Sequence, residues 1–439
     1  MIFSVFTLGC KVNLYQSEGI IKALSDKGFT QAGEKDFPDI ILVNTCTVTE
    51  KAAHKSKALI RSLRNRFPNA KMVAMGCHAG YDREDLEKMK DTDLVLAYED
   101  KYAIAEVLET GGKRTGENIF PFTVDSLSAR TRGLVMVQDG CDSFCSYCIL
   151  PFIRGPVKSR NPDEIIHEAE LQIGNGCREV VITGIHTGAY GKDLTGSVSL
   201  KDIVERIGDI QGTFRIRLSS IEIGEIDENL LALFRDNEKM CPHLPVPLQS
   251  GSDRILELMN RKYTALEFVR RVDEIREQVP LCAVTTDVMC GFPGETEKDH
   301  EETLSTIKRA GFSRVHAFPF SPRKGTIAAE MKPEVPPQVK KERVREVIAL
   351  GDTLKQEYAE KLIGSLLTVL AESYDITSGE LKGYSEYYVP VTFKGDESLQ
   401  GELVEVKVEK EVNGEVHGEL HKSNQWRSIG VYPARILNS

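Results

Sequence analysis

Six of the ten cysteines occur in arrangements that can bind a metal or a cluster. Cys141, Cys145 and Cys148 form a C-x3-C-x2-C run, with the aromatic Tyr147 directly before the last cysteine. Zinc sites of this kind usually contain paired C-x2-C elements and a fourth ligand, and the sequence has no second pair. Three closely spaced thiolates can instead hold three corners of a 4Fe–4S cluster and leave one iron open. The run therefore predicts an iron–sulfur site.

A second set of three cysteines is widely spaced but shares a position relative to the predicted strands. Cys10, Cys46 and Cys77 each follow one of the first three strands and are 36 and 31 residues apart. Because the carboxyl ends of parallel strands meet at one edge of a sheet, these thiols are expected to converge. They can be small buried hydrophobic residues, a zinc site with an open position, or a second 4Fe–4S site. The other four cysteines have no partner spacing and are interpreted as structural.

Residues 1–125 are expected to place the widely spaced cysteines at the edge of a parallel α/β sheet. Short β-branched runs alternate there with helical patterns, as in a parallel sheet covered by helices. The predicted strands are Ile2–Thr7, Asp39–Asn44, Lys71–Met75 and Asp93–Leu96. Helices are predicted at Ser17–Lys27 and within the basic segment Lys51–Lys71.

Residues 130–362 repeat a strand followed by a helix six times and end in a charged helical connector. The predicted strands are Leu134–Gln138, Glu179–Thr183, Phe214–Leu218, Leu244–Leu248, Ala283–Val288 and Arg314–Phe320. This alternation predicts a (β/α)6 partial barrel with its chemistry at the carboxyl ends of the strands. Polar or conformationally special residues follow all six strands, which indicates a ligand-binding rim.

Residues 365–439 change to alternating strands with glycine turns. This pattern predicts a small β-barrel module of about 70 residues. The module has seven Lys or Arg against twelve Asp or Glu. This excess of negative charge argues against strong non-specific electrostatic binding of nucleic acid by the module.

Composition excludes several classes of protein. Apolar residues make up 41% and charged residues 28%, which is ordinary for a globular protein. No apolar run approaches the roughly 20 residues needed to cross a bilayer, and the first residues lack the pattern of a signal peptide. The expected compartment is the cytoplasm, with no membrane contact.

Basic residues are concentrated in one predicted helix although the net charge is −10. Lys57, Arg61 and Arg64 fall on one face of that helix. They are either a solvated surface or contacts to RNA phosphates. Three further candidates for RNA contact follow the C-x3-C-x2-C run: Arg154, Lys158 and Arg160.

The Cys141–Cys148 run resembles the cluster motif of the radical S-adenosylmethionine (SAM) superfamily. In that superfamily the open iron binds SAM, and an electron from the cluster cleaves SAM to methionine and a 5′-deoxyadenosyl radical. The order of cysteine trio, barrel and β-module is similar, over essentially the whole chain, to that of the methylthiotransferases. This resemblance implies an auxiliary 4Fe–4S cluster on Cys10, Cys46 and Cys77, and a TRAM domain at the end of the chain.

Short strings indicate a branch of this family. Thr7–Asn13 (TLGCKVN) looks like the branch that acts on N6-threonylcarbamoyladenosine (t6A) in tRNA, whereas the isopentenyladenosine branch typically reads G-C-Q-M-N. Asn44–Thr49, Arg217–Glu222 and Gln249–Ser252 also fit the t6A branch. One departure is Pro245, at a position where the family commonly has histidine.

The resemblance implies an enzyme that adds a methylthio group to C2 of t6A next to the anticodon, with two SAM molecules per turnover. It also implies an electron donor such as a flavodoxin-type system, a sulfur source and a monomeric enzyme. The catalytic cluster would be held by Cys141, Cys145 and Cys148. The candidates for SAM contact are Tyr147, Thr183, Gly184, Ser220, Glu222 and Gln249.

Two kinds of alternative remain open. The same chemistry can act on isopentenyladenosine of tRNA or on an aspartate of a small-subunit ribosomal protein, although Lys11-Val12-Asn13 disfavours the latter. In another class, the chain is a non-catalytic iron–sulfur module for RNA binding or redox. The six rim motifs oppose that interpretation.

Overall fold

The computed structural model describes residues 1–109, 122–124 and 131–421. Its strands form a parallel sheet, a partial barrel and a closed β-barrel, in that order along the chain, which confirms the predicted fold class. The predicted boundary near 125–130 and the tail 422–439 lie outside the described residues. The division into 1–125, 130–362 and 365–439 therefore remains a proposal. In the described part of the chain, no helix has the length and apolar character needed to span a membrane.

The first sheet has five strands in the order β2-β1-β3-β4-β5, and every adjacent pair is parallel. Its strands are β1 Ile2–Thr7, β2 Thr30–Gln31, β3 Ile40–Thr45, β4 Lys71–Gly76 and β5 Leu94–Val95. Its helices are α1 Lys11–Asp26, α2 Glu50–Arg66, α3 Cys77–Tyr81, α4 Arg83–Glu87 and α5 Ile104–Glu109. The two-residue edge strand β2 was not predicted.

Helix α1 begins at Lys11, six residues before the predicted start at Ser17. Cys10 is its N-cap residue and is extended, so the helix starts directly after the turn that follows β1. The earlier start matters because it fixes Cys10, Lys11 and Asn13 relative to one another.

The middle of the chain forms six parallel strands, with a short antiparallel strand at one edge. The strands are β6 Arg132–Asp139, β7 Lys158–Ser159, β8 Glu179–Gly184, β9 Arg215–Leu218, β10 His243–Pro245, β11 Ala283–Cys290 and β12 Arg314–Pro319. The helices are α6 Leu150–Arg154, α7 Pro162–Gly174, α8 Leu200–Gly208, α9 Glu228–Asp236, α10 Asp253–Leu258, α11 Ala265–Gln278, α12 Glu297–Ala310 and α13 Ile327–Glu330.

Alternation along the strands gives this partial barrel two different faces. Outward residues such as Val135, Val180 and Ile216 pack with the surrounding helices in the largest hydrophobic core. The alternate positions include charged residues, among them Arg132 and Glu179. We call the space that these alternate residues line, on the side where α1 packs, the lumen.

Strand β10 is shorter than predicted and ends at Pro245. Proline has no N–H to donate to a sheet, which fits the interruption. The chain before β10 joins β9 through two backbone hydrogen bonds, from Ile216 N to Lys239 O (2.7 Å) and from Cys241 N to Ile216 O (2.8 Å). These bonds make the six parallel strands continuous.

The last part of the chain is a long helix, α14 Pro337–Glu360, followed by a closed barrel. Its strands are β13 Leu366–Asp375, β14 Glu380–Ser385, β15 Pro390–Lys394, β16 Leu403–Val412 and β17 Glu415–Leu420. Arg215 of β9 donates to the carbonyl oxygens of Thr368 (2.7 Å) and Tyr384 (2.9 Å). The C-terminal barrel therefore closes the end of the partial barrel where its strands begin.

Candidate active site

The turns after β1, β3 and β4 are held together by one side chain. Asn13 donates from Nδ2 to the carbonyl oxygens of Leu8 (2.8 Å) and Thr45 (3.1 Å), and its Oδ1 lies 3.7 Å from Cys77 Sγ. A Cβ on Gly9, whose φ is +112°, would come within 3.0 Å of Cys46 Cβ. The structure therefore places the turns that bear the three widely spaced cysteines side by side.

Two buried cations lie beside these cysteines. Arg154 donates to Cys77 Sγ (3.2 Å), Asn13 Oδ1 (2.7 Å) and Asp139 Oδ1 (2.9 Å). Lys101 is fully buried and donates to Gln16 Oε1 at 2.8 Å. Its pKa lies well below the usual value because of burial, with Arg154 as a further cause.

The donor set and its surroundings fit an anionic cluster. Among the described residues, Asp139 is the carboxylate whose charge acts on both Arg154 and Lys101, and Arg154 Nε has no hydrogen-bond partner there. Buried charge without a counter-charge is costly. An oxidised 4Fe–4S core bound by three thiolates carries about one net negative charge, which would supply a counter-charge beside these two side chains.

As free thiols, the cysteines of both sets must lose protons before they can bind iron. Burial raises the pKa of Cys46 to about 11 and that of Cys148 to about 12. Within the described ranges, no three His, Cys, Asp or Glu side chains are grouped closely enough to hold a single metal ion. Cysteines that bind a 4Fe–4S cluster each take a different iron, so they need not crowd around one point.

The second cysteine run is a loop supported by α10 and α13. Asn260 donates to Phe144 O (3.0 Å), and Ser146 donates from Oγ to Leu258 O (2.7 Å). Ala328 N donates to Ser146 O at 2.8 Å. Phe144 has a φ of +44°, which is uncommon for a residue with a side chain. These contacts fix the loop in which the three cysteines lie.

Two ion pairs flank this loop. His186 Nδ1 lies 3.6 Å from Cys141 Sγ, and its Nε2 lies 2.8 Å from Glu225 Oε1. Arg261 donates to Cys145 Sγ at 3.5 Å and pairs with Glu222. Burial acts to raise the pKa of Cys141, but hydrogen bonds from His186 and Ser143 outweigh it and lower that pKa.

Short connections join the two cysteine sets. Helix α6 starts two residues after Cys148, and its last residue, Arg154, reaches Cys77. On the other side, Arg323, which follows β12, donates to Thr47 Oγ1 at 2.6 Å. The carboxyl edge of the first sheet therefore faces the carboxyl rim of the partial barrel, with both cysteine sets in between.

The candidates for SAM contact are distributed along this rim. Tyr147 packs beside the Phe292 and Phe320 cluster, and burial raises its pKa well above the usual value. Thr183 is buried at the end of β8. A Cβ on Gly184 would lie 3.0 Å from Gln138 Oε1, the atom that accepts a hydrogen bond from His186 N.

The remaining three SAM candidates differ in their partners. Ser220 is exposed, and Glu222 already pairs with Arg261. Gln249 has a φ of +63°, and its buried Oε1 has no hydrogen-bond partner among the described residues. Such an orphaned acceptor fits a site that a polar ligand completes.

Two of the six RNA candidates are in the wrong place for contact with RNA. Arg154 is 9% exposed and Arg160 is 1% exposed, and Arg160 pairs with the buried Glu168 at 3.0 Å. The prediction was wrong for both, because buried carboxylates attract these guanidinium groups into the interior.

The other four RNA candidates are accessible to different degrees. Arg61 and Lys158 are exposed, whereas Lys57 pairs with Asp85 (2.9 Å) and Arg64 with Asp93 (2.5 Å). Arg61 is therefore the clearest surface cation of the three on α2.

Sequence reasoning missed Lys101, Asp139 and Arg261. None of the three belongs to a recognisable motif, and each meets its partner only because the chain folds. Asp139 and Arg154, for example, are 15 residues apart and meet across the cysteine loop. A signal was available only for Asp139, which stands two residues before Cys141.

Two family models and several known proteins match this chain. Residues 135–307 match the Radical SAM superfamily, and residues 3–97 match Uncharacterized protein family UPF0004. A threonylcarbamoyladenosine tRNA methylthiotransferase, MtaB, from Bacillus subtilis is 37% identical, over 92% of this chain and 93% of its own length. A tRNA-2-methylthio-N(6)-dimethylallyladenosine synthase from Acetivibrio thermocellus is 32% identical, over 93% and 88%.

Among solved structures, the radical SAM methyltransferase TsrM from Kitasatospora setae superposes with a TM-score of 0.57. The match covers 75% of this chain and 77% of TsrM at 14% identity, so it supports the fold alone. The sequence matches extend over almost the whole chain and include both cysteine-bearing parts. The chain therefore belongs to the radical SAM methylthiotransferase family, in its threonylcarbamoyladenosine tRNA branch.

Proposed function

We propose that this protein is a tRNA methylthiotransferase that converts t6A next to the anticodon to 2-methylthio-t6A. The observation that carries the proposal is the meeting of two three-cysteine sets, with Arg154 of α6 reaching from one to the other. A single radical SAM cluster would need only one such set. The sequence similarity to the threonylcarbamoyladenosine enzyme of Bacillus subtilis supports the choice of nucleoside.

The two cysteine sets would hold two 4Fe–4S clusters. Cys10, Cys46 and Cys77 would bind the auxiliary cluster, and Cys141, Cys145 and Cys148 the cluster that works with SAM. When bound, the clusters together with SAM would supply the electron, the 5′-deoxyadenosyl radical and the methylthio group that an inert C–H bond requires.

The chain's own residues have positioning roles. Arg154 fixes Cys77 relative to Asp139, and Arg261 fixes Cys145 relative to Glu222. Thr183, Gly184, Ser220 and Gln249 lie at the ends of the strands, where SAM would bind. Gln249 Oε1 would accept a hydrogen bond from an amino group of that ligand.

The same proposal implies partners that the chain does not contain. The substrate is tRNA, and two SAM molecules are consumed per turnover. A flavodoxin-type reductase and a sulfur source complete the reaction, in the cytoplasm. We propose that the enzyme acts as a monomer.

The test is an anaerobic assay with two RNA substrates. The reconstituted protein, with reductant and SAM, is mixed with tRNA that carries either t6A or isopentenyladenosine but no methylthio group. Nucleoside digests are then read by mass spectrometry. A methylthio adduct on t6A and none on isopentenyladenosine is the expected result.

The other outcomes separate the alternatives. An adduct only on isopentenyladenosine contradicts the choice of nucleoside but keeps the chemistry. SAM cleavage with neither adduct favours the ribosomal-protein substrate. Without SAM cleavage by an iron-replete sample, the chain would be a non-catalytic iron–sulfur module.

A further inference from the structure

The lumen of the partial barrel contains a cavity at the start of α1. It has a volume of about 390 Å³ and lies between α1, three strands of the partial barrel and the C-terminal barrel. Five of its ten lining residues are charged: Lys11, Arg132, Glu179, Arg217 and Glu372. Lys11 is the first residue of α1 and follows Cys10 directly, so its side chain connects the cavity to the turn that bears that cysteine.

The cavity has more positive than negative charge. Glu179 pairs with Arg217 (2.9 Å) and Arg132 (3.1 Å), and Glu372 pairs with Arg132 (2.9 Å). Among the described residues no carboxylate forms an ion pair with Lys11, although Arg217, Glu179 and Arg132 lie within its electrostatic range. The lining therefore has three basic side chains and two carboxylates, and both carboxylates already pair with arginine. The basic side chain without a carboxylate partner is that of Lys11, which leaves one positive charge for a ligand.

One wall of the cavity is the aromatic ring of Tyr388. Tyr388 lines the cavity and stacks between His243 and Tyr384, with ring centroids 4.8 Å apart in both pairs. His243 is 3% exposed, and its Nδ1 has no hydrogen-bond partner among the described residues. His243 does not line the cavity itself; it stacks against Tyr388, which does.

We propose that this cavity binds the threonyl carboxylate of t6A and that Lys11 is the residue that pairs with it. The inference rests on the proposed function and deepens it, because it assigns the residue that selects the nucleoside. A carboxylate would neutralise the surplus cation, and charge-assisted hydrogen bonds of this type are the strong ones. An apolar isopentenyl group would instead leave the cations of the cavity desolvated and without a counter-charge, which is costly.

Geometry links this recognition to the reaction. The threonylcarbamoyl group is attached at N6, so a carboxylate held at Lys11 would tie the adenine to the first turn of α1, which follows Cys10 directly. Strand β6, whose first residue Arg132 lines the cavity, ends at Asp139, two residues before Cys141. A substrate anchored at its threonyl end would therefore present its base between the two sets.

The test uses an anticodon stem-loop RNA that carries t6A, and the same RNA in which the threonyl carboxylate is a methyl ester. The reconstituted holoenzyme converts each RNA, and kcat and KM are measured from the methylthio product. We expect the wild type to prefer the acid over the ester by about 10- to 100-fold in kcat/KM. Lys11→Gln should lose most of that preference through a higher KM for the acid, and Lys11→Arg should restore it.

Two controls accompany these variants. Iron per chain reports whether Lys11→Gln keeps its clusters, since Lys11 is adjacent to Cys10. Lys27→Gln removes an exposed lysine at the other end of α1 and should leave the preference unchanged.

The outcomes that would overturn the inference are distinct from those that would overturn the function. A wild type that converts both RNAs equally well overturns the inference without any variant. A Lys11→Gln protein that still prefers the acid, or whose kcat/KM falls equally for acid and ester as it would for a phosphate-binding lysine, also overturns it. A wild type that converts isopentenyladenosine but not t6A overturns the proposed function, and the inference with it.

Discussion

At the scale of single residues, the site depends on charged side chains that are buried beside sulfur. Arg154 is the clearest case, because it donates to a cysteine, an asparagine and an aspartate from three parts of the chain. Its removal would leave Asp139 buried without its strongest partner. It is a positioning residue for Cys77.

We expect Arg154→Met to lower the free energy of unfolding by about 3–5 kcal/mol, the usual effect of breaking a buried ion pair. It should also lower the iron bound by the first cysteine set. Denaturant unfolding and iron analysis of the same sample measure both effects. Lys158→Met, on an exposed residue four positions away, is the control. A fully stable Arg154→Met protein with normal iron content would contradict this role.

The sequence predicted the cysteines of the site but not the charges that surround them. The spacing of Cys141, Cys145 and Cys148 is local and can be read directly. Lys101 and Asp139 are 38 residues apart and meet only because α1, β6 and the segment before α5 pack together. The same limit explains the misassigned Arg160, whose partner Glu168 is buried by the fold.

At the scale of elements, strand positions were predictable because the alternation of apolar runs and helical patterns is regular. All six strands of the partial barrel were found, and Ile2–Thr7 was placed without error. The start of α1 was missed because its N-cap, Cys10, makes no side-chain capping hydrogen bond and its first turn has no acidic residue. The short β10 ends at Pro245, which has no N–H to donate to the sheet.

Helix α2 provides a prediction about RNA binding. Lys55 and Arg61 are exposed on it, while Lys57 and Arg64 are ion-paired. We expect Lys55→Gln with Arg61→Gln to weaken tRNA binding. The salt dependence of log Kd should fall by about one unit for each phosphate that is no longer neutralised. Filter binding over a salt series measures this.

The matched control for α2 is on the outer surface of the partial barrel. Lys308→Gln with Arg309→Gln removes the same two charges from the last turn of α12. If both double variants change the salt dependence equally, net charge rather than α2 determines binding.

The C-terminal barrel provides a prediction about pH. Burial raises the pKa of Glu386 to about 7, although Arg215 and Arg217 act in the opposite direction. The folded state holds this proton more tightly than the unfolded state. The contribution of protonated Glu386 to the free energy of unfolding is therefore largest below the unfolded pKa of about 4.5. This contribution is lost as the pH rises through the folded pKa of about 7.

Glu386→Gln should therefore be more stable than the wild type at pH 8, by up to about 3 kcal/mol, and similar to it near pH 4.5. Urea unfolding at several pH values measures the difference. Glu409→Gln, on an exposed residue of β16, should follow the wild type at every pH. A constant difference between Glu386→Gln and the wild type would show that the carboxyl group does not titrate in this range.

At the scale of the whole molecule, the arrangement brings two edges face to face. The carboxyl edge of a five-stranded sheet meets the rim of a partial barrel, and a closed barrel covers the far end of the lumen. The order of these parts along the chain was predictable. Their contacts were not, because they depend on single side chains such as Arg323 and Arg215.

We expect the two cysteine sets to hold two clusters with different functions: the second set holds the cluster that cleaves SAM, and the first holds the auxiliary cluster needed for methylthio transfer. The most direct measurement is iron per chain, together with 5′-deoxyadenosine and methylthio product, for the wild type and two triple Cys→Ala variants. We predict about eight irons for the wild type and about four for each variant. The variant of Cys10, Cys46 and Cys77 should still cleave SAM but form no methylthio product, and the variant of Cys141, Cys145 and Cys148 should do neither. Full methylthio product from the first variant, or eight irons in either one, would contradict the account.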